Sequence, residues 1–251
     1  MEQPESEVRI SATEPGGARL AFFGGSFDPP HLGHLAVARA ARKALRLDAV
    51  WFAPVGAQPL KPEGSAASFE DRLAMTRLAI EGEPGFAISL ADAPKPDGSP
   101  NYTLETLQGL RAGLGRDGGL YCLMGADSFF GLRRWHRAAE IPFVAPLIVA
   151  SRPGEALEQL ESALPQGLNL KSKDARARNE SGIEVREFQL ANAAGESAPF
   201  YLLPGLHVEI SASDIREAIR ARCDGATGSR AARDLLPAAV ADYVRARGLY
   251  R

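Results

Sequence analysis

Short apolar runs and helix-period stretches alternate along the chain from residue 19 onward. Residues 20–23, Leu-Ala-Phe-Phe, form a continuous apolar run and predict a buried strand. Residues 35–45 are rich in alanine, leucine, arginine and lysine and predict a helix. Residues 49–53 predict a second strand, stopped by Pro54, and a loop rich in Gly, Pro and Ser follows to Ser68. The spacing of Phe69, Leu73, Met75, Leu78, Ala79 and Ile80 predicts an amphipathic helix capped by Ser68. Further strands are expected at 86–90, 120–124, 143–150, 200–203 and 208–210, and further helices at 103–112, 155–164, 211–222 and 237–247.

Such alternation implies crossover units, hence an α/β fold with a doubly wound, mostly parallel sheet and flanking helices. In open sheets of this kind ligands bind beyond the carboxyl ends of the strands. The block 155–198 breaks the pattern. Its centre, 171–182, is charged and almost without apolar anchors, and is expected to be a polar surface insertion or mobile loop. Residues 1–18 are polar and acidic and are expected to be a disordered extension, with no signal-peptide core. The remainder, 19–251, is read as one domain.

Composition narrows the function classes. The 251 residues are 45% hydrophobic and 24% charged, ordinary for a globular protein. A net charge of −2 gives no general attraction to nucleic acid or an anionic membrane. No apolar run approaches the length of a membrane span. Cys122 and Cys223 have neither metal-binding nor redox spacing, which suits a reducing cytoplasm.

The chemistry concentrates in Gly24-Gly25-Ser26-Phe27-Asp28-Pro29-Pro30-His31-Leu32-Gly33-His34. Two glycines end a strand, and two histidines open a helix. Glycine lets backbone approach a ligand closely. A helix start offers unpaired N–H groups and the positive end of the dipole, so this is a place for phosphate. His31 and His34, three apart, lie on one helical face. Turn punctuation and a two-histidine metal site remain as alternatives, the latter without a nearby cysteine or carboxylate cluster to complete it. A second helix start, Ser211-Ala212-Ser213-Asp214-Ile215-Arg216, combines two hydroxyls with an arginine. It reads either as plain N-capping or as a polyphosphate site.

Together these segments resemble the HxGH nucleotidyltransferase superfamily. Residues 24–34 match its GGxFDPxHxGH form, and residues 210–216 match ISxTxIR with Ser213 in place of Thr. Residues 101–107 (Asn-Tyr-Thr-Leu-Glu-Thr-Leu), Gly125-Ala126-Asp127-Ser128 followed by Trp135, Ser151-Arg152-Pro153-Gly154, and the C-terminal 235–250 stretch resemble the bacterial nicotinate-nucleotide adenylyltransferases in particular. The family's Pro-Pro-His-Lys loop is Gln58-Pro59-Leu60-Lys61 here, so the lysine is kept and the histidine is not.

The resemblance implies a Rossmann-like fold and transfer of an adenylyl group from ATP to nicotinate mononucleotide, giving deamido-NAD⁺ and pyrophosphate. It implies catalytic roles for His31, His34 and Arg216. ATP contacts are implied at Gly24, Gly25, Ser26, Phe27, His31, His34, Gly125, Asp127, Ser211, Ser213, Ile215 and Arg216. Mononucleotide contacts are implied at Lys61, Tyr102, Thr103 and Trp135. Mg²⁺ is expected through phosphate oxygens and water, without a protein cage. The partners implied are these small molecules, with no nucleic acid and no membrane. Related enzymes with another acceptor (nicotinamide mononucleotide, phosphopantetheine or a polyol phosphate) and a non-catalytic nucleotide-binding homologue are the competing readings.

Overall fold

The computed structural model describes residues 17–61, 63–114, 117–151, 157–171, 176–180, 182–206, 211–223 and 234–251. The expected N-terminal extension therefore lies almost wholly outside the described residues. So do Arg152, Pro153 and Gly154 and the strand expected at 208–210.

Six strands run parallel in the order β3-β2-β1-β4-β5-β9. They are β1 (Arg19–Gly25), β2 (Ala49–Pro54), β3 (Phe86–Ile88), β4 (Gly119–Gly125), β5 (Leu147–Ala150) and β9 (Ser197–Leu203). Helices α1 (Leu32–Leu45), α2 (Phe69–Ile80), α3 (Thr103–Gly113), α4 (Ala126–Phe130) and α5 (Ile141–Val144) supply the crossovers. Helices α6 (Leu157–Ala163), α7 (Ala212–Cys223) and α8 (Ala238–Arg247) follow. This is the expected doubly wound, Rossmann-like sheet. The strand order reverses between β1 and β4, which opens a crevice at their carboxyl ends.

The strands read as unbroken apolar runs because both sheet faces are covered. Ala21 and Phe23 pack with Val50, Phe52 and the alanine-rich inner face of α1. Phe22, one residue out of phase, packs on the other side with Ala53, Leu104, Leu107, Cys122 and Met124. Ser68 caps α2 as expected, its hydroxyl accepting from Asp71 N at 3.0 Å. No helix among the described residues is long and apolar enough to cross a membrane.

Two expectations are corrected. Residues 143–150 are not one strand: Ile141–Val144 is a helical turn with Pro at its start, and the strand begins only after Pro146. The segment 171–182 is not a loop in its described part: β7 (Arg176–Glu180) lies within it, flanked by β6 (Leu168–Leu170) and β8 (Ile183–Asn192), antiparallel strands that extend the sheet beyond β9. Val185 of β8 is buried in the cluster on one side of the sheet and Phe188 and Leu190 in the cluster on the other, with Arg186 exposed and Glu187 half-buried between them. Three buried residues divided between two faces, with Arg186, Glu187 and Gln189 among them, make no continuous apolar run in the sequence.

Candidate active site

Two cavities, of about 420 and 300 Å³, open over the carboxyl ends of β1 and β4 and share a wall. The first is lined by Gly24, Gly25, Ser26, Phe27, His31, His34, Lys61, Gly125, Asp127, Ser213 and Arg216, among others. The second is lined by Lys61, Tyr102, Thr103, Trp135, Arg134 and His136, among others. Gly24, Gly25, Ser26, Lys61, Asp127 and Ser128 line both and form the junction. Of the residues that the resemblance assigned, Phe27, His31, His34, Gly125, Ser213 and Arg216 line only the first chamber, Tyr102, Thr103 and Trp135 only the second, Gly24, Gly25, Ser26, Asp127 and Lys61 both, and Ser211 and Ile215 neither.

The loop after β1 is built for close approach. A Cβ on Gly24 would stand 2.8 Å from the Phe22 ring, so no larger residue fits without a shift. Phe27 takes φ 47°, a left-handed conformation rare for a bulky residue. Its ring turns into the core, 5.5 Å from Phe23 and 5.6 Å from Phe52 by centroid, and 5.0 Å from His34. Asp28 is only 4% exposed, and its carboxylate accepts from Ala66 N at 2.6 Å, Ala67 N at 3.2 Å and the Tyr250 hydroxyl at 2.7 Å. The last residues of the chain thereby fasten its first motif.

The histidines open α1 as a stacked pair, ring centroids 3.7 Å apart. His34 Nδ1 accepts from His31 N at 3.1 Å, so the neutral imidazole carries its proton on Nε2. Burial pushes the His31 imidazole down to about 4. Burial, then the neighbouring His31, holds His34 well below the usual histidine range. Both rings are neutral near pH 7. The buried Nδ1 of His31 has no protein partner among the described residues.

Arg216 reaches back from α7. Its Nη1 donates to Asp28 O at 2.7 Å and its Nη2 to Ser213 Oγ at 3.1 Å. Two of its five N–H donors are thus spent on fixing the guanidinium beside the first chamber. Ser211 and Ile215 stand apart from the other residues of the motif. The Ser211 hydroxyl accepts from Ser213 N at 3.1 Å, a helix cap, and Ser211 does not line the chamber. The Ile215 side chain is 1% exposed in the core, which leaves only backbone to a ligand.

In the second chamber Trp135 is half-buried against the core, and the Tyr102 ring lies 4.5 Å from His136. Lys61 Nζ donates to Ser26 Oγ at 3.1 Å. Burial, then the positive charge of Arg216, lowers the Lys61 ammonium below its usual range.

Several supporting residues carried no role in the sequence reading. Arg72 is 2% exposed and donates to Ser26 O at 2.7 Å, Val55 O at 2.8 Å and Ala67 O at 3.4 Å. It clamps the loop after β1 to both ends of the loop between β2 and α2. Asn101 joins the β2 loop to the start of α3, accepting from Ala57 N and donating to Ala93 O, each at 3.0 Å. Asp92, buried in the second chamber and raised by that burial, accepts from the Thr106 hydroxyl. Among the described residues no group of three or more His, Cys, Asp or Glu side chains is arranged to hold a metal ion.

The Cytidylyltransferase-like family model matches residues 22–218. A probable nicotinate-nucleotide adenylyltransferase of Gloeobacter violaceus is 36% identical over 234 residues, covering 93% of this chain and 97% of the relative. One from Stenotrophomonas maltophilia is 39% identical over 234 residues, covering 92% and 96%. A Plasmodium falciparum nicotinic acid mononucleotide adenylyltransferase complexed with NaAD superposes with a TM-score of 0.64 at 15% identity, covering 93% of this chain and 97% of that one. That likeness concerns the fold. By the family match and the length of the shared sequence, the chain belongs to the cytidylyltransferase-like nucleotidyltransferases, in the group of the bacterial nicotinate-nucleotide adenylyltransferases.

Proposed function

We propose that the protein joins ATP to nicotinate mononucleotide, releasing pyrophosphate and forming deamido-NAD⁺. The observation that carries this reading is the pair of chambers meeting at Gly24, Gly25, Ser26, Lys61, Asp127 and Ser128. One chamber bears the two helix starts suited to a triphosphate, and the other the aromatic wall suited to a pyridine ring. The names of the relatives support the choice of acceptor.

The chemistry needs no protein base. The 5′-phosphate of the mononucleotide is already an anion, and one of its oxygens attacks the α-phosphorus of ATP. The bond from that phosphorus to the β-bridging oxygen breaks, and pyrophosphate leaves with the electron pair. The protein's work is alignment and fixed electrostatics. The Nε2–H of His34, with His31 beside it, donates to the oxygens on which charge builds. The N-terminal end of α1 adds its dipole. Arg216, pre-positioned by Asp28 and Ser213, holds the β- and γ-phosphates. Lys61 neutralises the incoming phosphate at the junction. Trp135 stacks on the pyridine ring, Tyr102 and Thr103 face its carboxylate, and Asp127 takes a nucleotide hydroxyl. Mg²⁺, carried with ATP, would supply charge neutralisation on the phosphates, with no cluster of protein side chains among the described residues to hold it. A cytoplasmic location belongs to the same proposal.

Pyrophosphate release with ATP and a panel of acceptors tests the reading. Nicotinate mononucleotide is expected to give the highest kcat/KM, ahead of nicotinamide mononucleotide, phosphopantetheine and polyol phosphates. A strong preference for the amidated nucleotide would overturn the substrate assignment.

A further inference from the structure

We propose that Gln58 is a positioning residue: with Lys61 it occupies the acceptor side of the Ser26 hydroxyl and so turns that hydroxyl's proton toward the phosphate at the chamber junction. The inference rests on the adenylyl-transfer reading above. Gln58 Nε2 donates to Ser26 Oγ at 2.7 Å and Lys61 Nζ donates to the same oxygen at 3.1 Å. A hydroxyl has two lone pairs and one proton. An ammonium and an amide N–H can only donate, so both lone pairs are taken. The O–H must then donate elsewhere, and among the described residues no protein group accepts it. Ser26 lines both chambers, so the direction left open is the place where the two phosphates meet.

The arrangement is held from every side. Lys61 N donates to Gln58 O at 3.1 Å, which closes a turn and sets both side chains over one oxygen. Asn101 pins the preceding residue, accepting from Ala57 N at 3.0 Å while Asn101 N donates to Ala57 O at 2.9 Å. Arg72 Nη1 pins the backbone of Ser26 itself through its carbonyl, at 2.7 Å. Leu60, between the two donors, is 45% exposed and brings no polar group. A hydroxyl that would otherwise rotate freely is thus a fixed donor, the kind of preorganisation that favours charge developing in a transition state.

The isosteric variant Gln58→Glu discriminates. Its carboxylate accepts the Ser26 proton instead of donating, and so turns the hydroxyl away from the phosphate. Gln58→Ala removes one donor and is expected to lower kcat/KM for the mononucleotide about fivefold, whereas Gln58→Glu lowers it about a hundredfold. A carboxylate also repels phosphate, so both changes are repeated in Ser26→Ala. There the Glu penalty is expected to shrink at least about fivefold, the coupling of a double-mutant cycle. Calorimetric binding of the mononucleotide reads the same cycle without turnover, and thermal melting confirms that each variant is folded. Wild-type performance in Gln58→Glu, or an equal Glu penalty with and without the Ser26 hydroxyl, would overturn the proposal. Failure of the wild-type protein to form deamido-NAD⁺ would instead strike the reaction assignment. The cycle would then be run with whichever acceptor the panel selects.

Discussion

Replacing His34 with alanine lowers kcat by about 10²- to 10³-fold, the usual loss when one preorganised donor to a developing oxyanion is removed. The reasoning is geometric. His34 Nδ1 is committed to His31 N, so Nε2 is a donor in the neutral ring, and the ring lines the triphosphate chamber. The two imidazoles are held well below their ordinary range, His31 down to about 4. In the free protein the His34 donor is therefore already neutral well below the usual histidine range and is not switched as pH passes 6.5. The variant loses one N-terminal hydrogen bond of α1, on the order of 1 kcal/mol, and the ring contacts with Phe23, Phe27 and His31, so the fold is expected to survive with a lowered melting temperature. Steady-state kinetics beside a melting curve checks both halves. Turnover within a few-fold of wild type in a folded His34→Ala protein would contradict the mechanism.

Replacing Arg72 with methionine is expected to cost about 2–4 kcal/mol of unfolding free energy, since three carbonyls lose a charged donor in a nearly sealed site. Ser26 lies in the loop after β1, and Val55 and Ala67 lie at the two ends of the loop between β2 and α2; only Arg72 joins all three by its side chain among the described hydrogen bonds. Their loosening should also lower kcat/KM for both substrates in the fraction that remains folded. Arg72→Lys keeps the charge but not the planar fork, so it should recover only part of the loss. Denaturant unfolding followed by activity at a temperature below the transition measures these separately. A methionine variant as stable as wild type would show that the clamp is dispensable.

The sheet was legible because its strands are buried on both faces and its helices begin with recognisable signals, Ser68 for α2 and the Gly-Gly to His-x-x-His turn for α1. The two phosphate-suited helix starts were legible for the same reason: anion sites at helix ends are local in sequence. What stayed hidden is what tertiary packing decides. Arg72 sits three and four residues before Met75 and Thr76, on the buried face of α2, yet a charged residue there reads as solvent-facing until its carbonyl partners are known. Asp28 was visible in the motif, but its partners come from Ala66, Ala67 and Tyr250, the last 222 residues away. β8 was hidden because its three buried side chains, Val185, Phe188 and Leu190, are scattered among polar and charged residues and form no continuous apolar run. Ser211 caps α7 and the Ile215 side chain anchors it in the core, placements that the motif alone does not reveal.

The central claim is that both substrates lie across one junction and react by a single direct displacement. Adenylyl transfer from an α-thio ATP of defined configuration at the α-phosphorus tests this most directly. Direct attack by the mononucleotide phosphate predicts a dinucleotide product inverted at that phosphorus, and retention would contradict the account by requiring an adenylylated intermediate on the protein.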